Sequence, residues 1–175
     1  MLKKMLILAA VLLGALAVMM LSTRAATFSV GNTLAVEHPV SPVWQALMAV
    51  EEWPAWWPGM ESAALAPEWR DGAVLNLTLK GTPEKSGARV VSVLFEKELV
   101  WERDGILGSV TATTLRLDPI SGGVLVTLES SIRGPQAFLA RFTGDEEFGK
   151  YHHRVLAALD AHLQKAPLPG RIGEI

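Results

Sequence analysis

The chain has 175 residues, 50% of them hydrophobic, with 16 Lys and Arg against 18 Asp and Glu and no cysteine. That length accommodates one domain with a core and excludes two ordinary domains beside a membrane segment. The lack of cysteine excludes disulfides, thiolate metal sites, a cysteine nucleophile and a lipidated cysteine, and the acidic balance argues against a surface that tracks nucleic-acid phosphates.

The first segment opens with Lys3 and Lys4 and runs from Met5 to Leu21 without a charged or strongly polar side chain. About 17 such residues stand between a long signal-peptide core and a short spanning helix. Leu, Val, Met and Ala surround that helix on every side, so a core helix with a polar face is the poorer reading. Lys3 and Lys4 outweigh the lone Arg24 on the far flank, which keeps the N-terminus inside and sends the rest of the chain outward. Thr23-Arg24-Ala25 is an acceptable but weak cleavage site. Residues 1–26 are therefore read as a signal anchor, with a cleaved signal peptide as the alternative. The domain is expected to be extracytoplasmic and membrane-anchored, or secreted if the leader is cut. Setting aside Lys3, Lys4 and Arg24 leaves 13 of the 16 basic residues against 18 acidic ones. The mean hydropathy of +0.28 owes much to the same segment.

Thr27 to Val36 alternates and is β-rich, and Pro39 ends it as a strand. Ser41-Pro42 then offers an N-cap with proline in the first helical position, followed by Val43, Trp44, Leu47 and Val50 at helical spacing. The run Trp53-Pro54-Ala55-Trp56-Trp57-Pro58-Gly59 should be a broken helical corner whose three tryptophans demand burial or a ligand. From Glu61 the period becomes two, predicting strands over 61–66, 73–80, 88–95, 99–103, 109–117 and 123–132. Arg70-Asp71-Gly72, Asp104-Gly105 and Ser121-Gly122-Gly123 mark turns between them, giving an antiparallel meander. Gly134-Pro135 closes the sheet, and helices follow over 136–142 and 145–164, the second carrying Phe148, His152, Val155, Leu156, Leu159 and Leu163 on one stripe. Domain 27–165 is followed by a tail, 166–175, opened by Pro167-Leu168-Pro169-Gly170.

The segment Val36-Glu37-His38-Pro39-Val40-Ser41-Pro42-Val43-Trp44, with Trp53 to Ser62 after it, resembles the opening of the polyketide cyclase/dehydrase-like branch of the START-like (SRPBCC, Bet v 1-like) superfamily. Gly122 to Leu128 and Gly134-Pro135 are similar to its last strand and the approach to its final helix. The resemblance covers about residues 28 to 164. It implies an α+β helix-grip fold, a curved antiparallel sheet wrapped around a long C-terminal helix, here preceded by an N-terminal hydrophobic helix. It also implies an apolar cavity for a hydrophobic small molecule or lipid. The superfamily hosts carriers, cyclases, hydroxylase domains and co-chaperones, so fold alone does not assign chemistry.

No nucleophile elbow, phosphate loop, dinucleotide fingerprint or metal-binding helix spacing occurs, and no cofactor or metal is expected. His152 and His153 diverge by about 100° on a helix and cannot share a metal ion. His152, on the apolar stripe, reads as a polar handle inside the cavity or as a histidine satisfied by a backbone carbonyl or rim water. Tyr151 beside the stripe could serve in the same way. Trp57, Trp101, Phe138 and Phe142 are the bulky candidates for the cavity wall, with core packing as the alternative. Arg89, Glu102, Arg103, Arg116, Glu129 and Arg133 mostly alternate with apolar neighbours and are assigned to the solvent face, where cross-strand ion pairs are expected. The leading expectation is a binding or carrier module for a lipid, quinone or polyketide-like molecule, needing no catalytic residue. The alternatives are a cyclase or dehydratase using His152 or Tyr151 with a sheet carboxylate, and a protein-interaction module with a filled cavity.

Overall fold

The computed structural model describes residues 26–81, 86–143 and 145–165, with Val11 and Gly14 as two further helical positions. Apart from Val11, Gly14 and Ala26, the expected anchor lies outside the described residues, as does the tail from 166 to 175. Among the described residues no helix is long and apolar enough to cross a membrane.

Seven strands form one antiparallel sheet: β1 (Thr27–Val36), β2 (Met60–Ala66), β3 (Val74–Leu79), β4 (Ser86–Leu94), β5 (Glu98–Asp104), β6 (Val110–Ile120) and β7 (Gly123–Arg133). Their order is β1-β7-β6-β5-β4-β3-β2. β2 to β7 make the expected meander, and β1 lies along β7 from Thr27 opposite Arg133 to Val36 opposite Val124. Helix α1 (Val40–Met48), a 3-10 turn (Val50–Glu52) and α2 (Trp53–Trp56) fill the crossover between β1 and β2. Helices α3 (Pro135–Thr143) and α4 (Asp145–Leu163) follow β7. This is the α+β helix-grip architecture, with the sheet curved around the C-terminal helix.

Alternation places the core. Val124, Val126, Leu128, Ser130 and Ile132 of β7 are all buried, and Leu115 and Leu117 of β6 stand opposite Leu128 and Val126. Val155, Leu156, Leu159 and Leu163 of α4 close over the same face. Burying each such side chain stabilises the fold by about 1.5–3 kcal/mol. Asn32 Nδ2 donates to the Gly149 carbonyl at 2.8 Å, which ties β1 to the first turns of α4.

The tryptophan corner is denser than its three expected members. Trp53, fully buried, lies 4.9 Å from Trp57, 5.8 Å from Trp101 and 6.1 Å from Trp69 between ring centroids. The indole N–H groups of Trp53 and Trp69 donate to the Leu47 and Met48 carbonyls at 3.1 and 2.9 Å. These bonds satisfy carbonyls at the C-terminal end of α1, where the helix leaves its own acceptors unpaired.

The expected Ser41 cap is not formed. Helix α1 starts two residues earlier, with extended Pro39 in the capping position and no side-chain cap bond. Pro42 then stands third in the helix, where the N–H it lacks has no intrahelical partner anyway. At the β6–β7 turn Gly123 is required by close approach, because a Cβ there would run into the Val36 carbonyl of β1.

Candidate functional site

Between the concave sheet, the tryptophan corner and α4 lies a cavity of about 200 Å3. Period two determines which side chains reach it. On β5, Trp101 and Arg103 share the inner face; on β6, Thr111 and Thr113; on β7, Leu128 and Ser130. The register sets Arg103 opposite Thr111, Trp101 opposite Thr113 and Thr113 opposite Ser130. Met60, Leu77, Leu79 and Ala88 supply an apolar side from β2 to β4. The site therefore has an apolar flank and a polar flank facing α4.

Two hydrogen bonds organise the polar flank. Ser130 Oγ lies 2.9 Å from His152 Nε2, and Trp57 Nε1 donates to the Tyr151 hydroxyl at 2.8 Å. The His152 side chain is 2% exposed and its Nδ1 has no hydrogen-bond partner within the protein. Burial holds the His152 pKa below the usual histidine value, so the ring is neutral at neutral pH. A neutral ring carries one N–H and one bare nitrogen. If the Ser130 hydroxyl donates to Nε2, Nδ1 offers a proton; if Nε2 donates to Ser130, Nδ1 offers a lone pair. Nδ1 is itself buried, so the tautomer is set by the Ser130 contact and not by solvent.

Burial raises the Tyr151 phenol above its ordinary pKa, against the opposing pull of the Trp57 hydrogen bond and the charges of Arg154 and Arg103. Tyr151 is protonated, its oxygen accepts from Trp57, and its own proton is left to donate. The Tyr151 and His152 ring centroids are 6.3 Å apart.

The structure brings Trp57, Trp101, Tyr151 and His152 to the lining of one cavity. Phe138 is elsewhere: it sits on α3, 42% exposed and outside the lining. Helix α3 packs on the rim of the sheet through Ala137 and Ala140, against Ile132, and that turns Phe138 outward. Phe142 is helical, but its side chain lies outside the described residues.

Sequence reasoning missed Arg103, Thr111, Thr113 and Ser130 as lining residues. The signal for Ser130 was present, a hydroxyl at an inward position between Leu128 and Ile132 of an otherwise apolar alternation. The signal for Arg103 was its spacing of two from Trp101, which sets it on the inner face and not the solvent face assigned to it. The surface ion pairs expected on the convex side do form, Arg116 to Glu98 at 3.0 Å and Arg133 to Glu102 at 2.7 Å. Among the described residues no group of three or more His, Asp or Glu is placed to hold a metal ion.

No known family's sequence profile matches the chain, and no curated protein matches it. Its fold is shared with many solved structures. Norcoclaurine synthase from Thalictrum flavum, in complex with dopamine and hydroxybenzaldehyde, superposes with a TM-score of 0.64 at 14% identity, over 82% of this chain and 90% of that one. A protein of Nitrosomonas europaea gives 0.62 at 20% identity, over 78% of this chain and 94% of its own. The di-domain ARO/CYC BexL from the BE-7585A biosynthetic pathway gives 0.63 at 16% identity, over 86% of this chain and 54% of that chain. The domain has the Bet v 1-like, START-like (SRPBCC) fold that the sequence resemblance implied.

Proposed function

We propose that this chain binds one small hydrophobic molecule bearing a hydroxyl or carbonyl oxygen, and that it does so as an extracytoplasmic domain tethered to a membrane by its Met5–Leu21 run. The carrying observation is a cavity with an apolar flank and, on its other side, the hydroxyls of Thr111, Thr113, Ser130 and Tyr151 beside His152. The Tyr151 hydroxyl accepts from Trp57 and keeps its own proton to donate, and a hydrogen bond from it to a ligand oxygen would contribute about 0.5–1.5 kcal/mol. The volume of about 200 Å3 narrows the cargo, since drug-sized pockets run to about 300–1,000 Å3. It favours a ring-sized molecule, such as a quinone headgroup or an aromatic polyketide fragment, over a two-chain lipid. The shared fold of an aromatic-binding synthase complex and an ARO/CYC protein supports the same class.

The test is a fluorescence titration of the purified chain with naphthol, a ring compound with one hydroxyl, alongside mass spectrometry of the solvent-extracted protein. Wild type should bind one equivalent. Ala88→Phe, which fills the apolar flank, should weaken binding by about tenfold or more, given about 1.4 kcal/mol per decade. Equal binding by wild type and Ala88→Phe would reject the cavity as the site.

A second reading, a cyclase or dehydratase for a polyketide-like substrate, is favoured by one observation. A neutral His152 and a protonated Tyr151 are the two states an acid–base pair needs, and they line the same cavity. Turnover of a poly-β-ketone surrogate that Tyr151→Phe abolishes, with naphthol binding retained, would establish it.

A further inference from the structure

The registers gather four features at one end of the sheet. Thr27 of β1 pairs with Arg133 of β7, and Arg133 with Val110 of β6, so the start of β1, the end of β7 and the β5–β6 loop lie side by side. The Ala26 carbonyl accepts the Gly134 N–H at 2.9 Å, and Arg141 of α3 donates to the Thr27 carbonyl at 2.8 Å. The chain therefore enters the domain beside α3 and the β5–β6 loop.

The same end carries exposed apolar side chains. Ile106 and Leu107 in the loop are 62% and 66% exposed, and Phe138 and Leu139 on α3 are 42% and 56% exposed. The loop and α3 touch, and the Gln136 N–H donates to Ser109 Oγ at 2.9 Å. Leu107 is held at φ 57°, a left-handed conformation that glycine adopts more cheaply, yet a large apolar side chain is presented there. The cavity reaches this end too: Arg103 and Thr111 flank the loop, and Arg103 is the one exposed residue of its lining.

We propose that this face docks on the lipid bilayer, with Ile106, Leu107, Phe138 and Leu139 entering the interfacial layer, so that the mouth of the cavity beside Arg103 opens onto the membrane. The proposal rests on the reading of Met5–Leu21 as the membrane tether. Only Ser22 to Ala25 separate that run from Ala26, and the five steps from Leu21 to Ala26 span at most about 18 Å. The end of the domain that holds Ala26 cannot stand farther than that from the bilayer, whereas the opposite end, with Ile120, is free to face water. Apolar side chains in the interfacial layer bury about 5–10 Å deep and are favoured by the area they remove from water. A hydrophobic ligand would then pass between bilayer and cavity without crossing bulk water.

The test uses the full chain in phosphatidylcholine vesicles. Having no cysteine, it accepts a single environment-sensitive fluorophore at Leu107→Cys, Leu139→Cys or Ile120→Cys, all exposed sites. Headgroup-proximal doxyl lipids should remove about half or more of the emission at the first two positions and leave the third unchanged, as shallow insertion requires. If the chain floats with the vesicles and none of the three labels is quenched, the tether stands and the docking face is overturned. If the chain does not float, the tether reading fails and takes the docking with it. Emission at 107 and 139 that tracks protein concentration in detergent and ignores doxyl lipid would give the face to a second copy of the chain, and overturns the proposal. The naphthol titration reads the cavity separately in every case.

Discussion

The Ser130 hydroxyl meets the His152 ring at 2.9 Å, joining the last strand of the sheet to the middle of the long helix inside the cavity wall. Ser130 is itself buried, so the pair is shielded from bulk water and from salt. It leaves the other ring nitrogen, Nδ1, buried without a protein partner.

The titration of His152 couples to stability. Burial depresses its folded pKa below the ordinary histidine value of 6.5, so as pH falls the unfolded chain takes up this proton first. The stability it contributes is complete above about 6.5 and is lost as pH falls toward the folded value. Urea unfolding at about pH 8 and about pH 5 should show a larger loss for wild type than for His152→Gln, which keeps a hydrogen-bonding side chain without a titrating ring. Equal losses would mean that other groups carry the acid sensitivity.

Trp57 and Tyr151 should be energetically coupled. Trp57→Phe and Tyr151→Phe each remove one partner of the 2.8 Å hydrogen bond. A double-mutant cycle in urea is expected to give a coupling of about 0.5–1.5 kcal/mol, the usual net worth of such a bond. Additive effects would show that the bond contributes nothing to stability.

Gly123→Ala should be among the most damaging small substitutions in the sheet. The new methyl group would meet the backbone of Val36 and Glu37, which cannot move aside as a flexible side chain would. Overpacking of this kind costs about 1–3 kcal/mol, and the thermal midpoint should fall accordingly. Gly59→Ala provides a comparison, since no atom lies near its Cβ position and only its positive φ of 77° is strained.

The Arg133 to Glu102 pair, 2.7 Å long, should matter little. Both side chains are partly exposed, at 58% and 33%. Arg133→Ala is expected to cost about 1 kcal/mol or less, and less again in high salt. A larger loss would point to packing of the Arg133 stem against the sheet.

What the sequence determined by itself was whatever depends on local period and punctuation. Alternation predicted β1 at Thr27–Val36 without error and the remaining strands to within a few residues, and the stripe on α4 predicted its buried face with His152 in it. These readings work because side-chain direction repeats every two residues in a strand and every 3.6 in a helix. The Ser41 cap failed because the helix begins two residues earlier, directly behind extended Pro39, a detail that period does not carry. Only the tertiary structure decided the site. Arg103, Thr113, Ser130 and His152 are scattered along the chain, and the strand register and the seat of α4 bring them to one cavity. The same holds for Phe138, a candidate for the cavity wall or the core by sequence, which the seat of α3 turns to the surface. A side chain's face is a local property, but its partner across the core is set by long-range pairing, and the chemistry of this cavity depends on those partners.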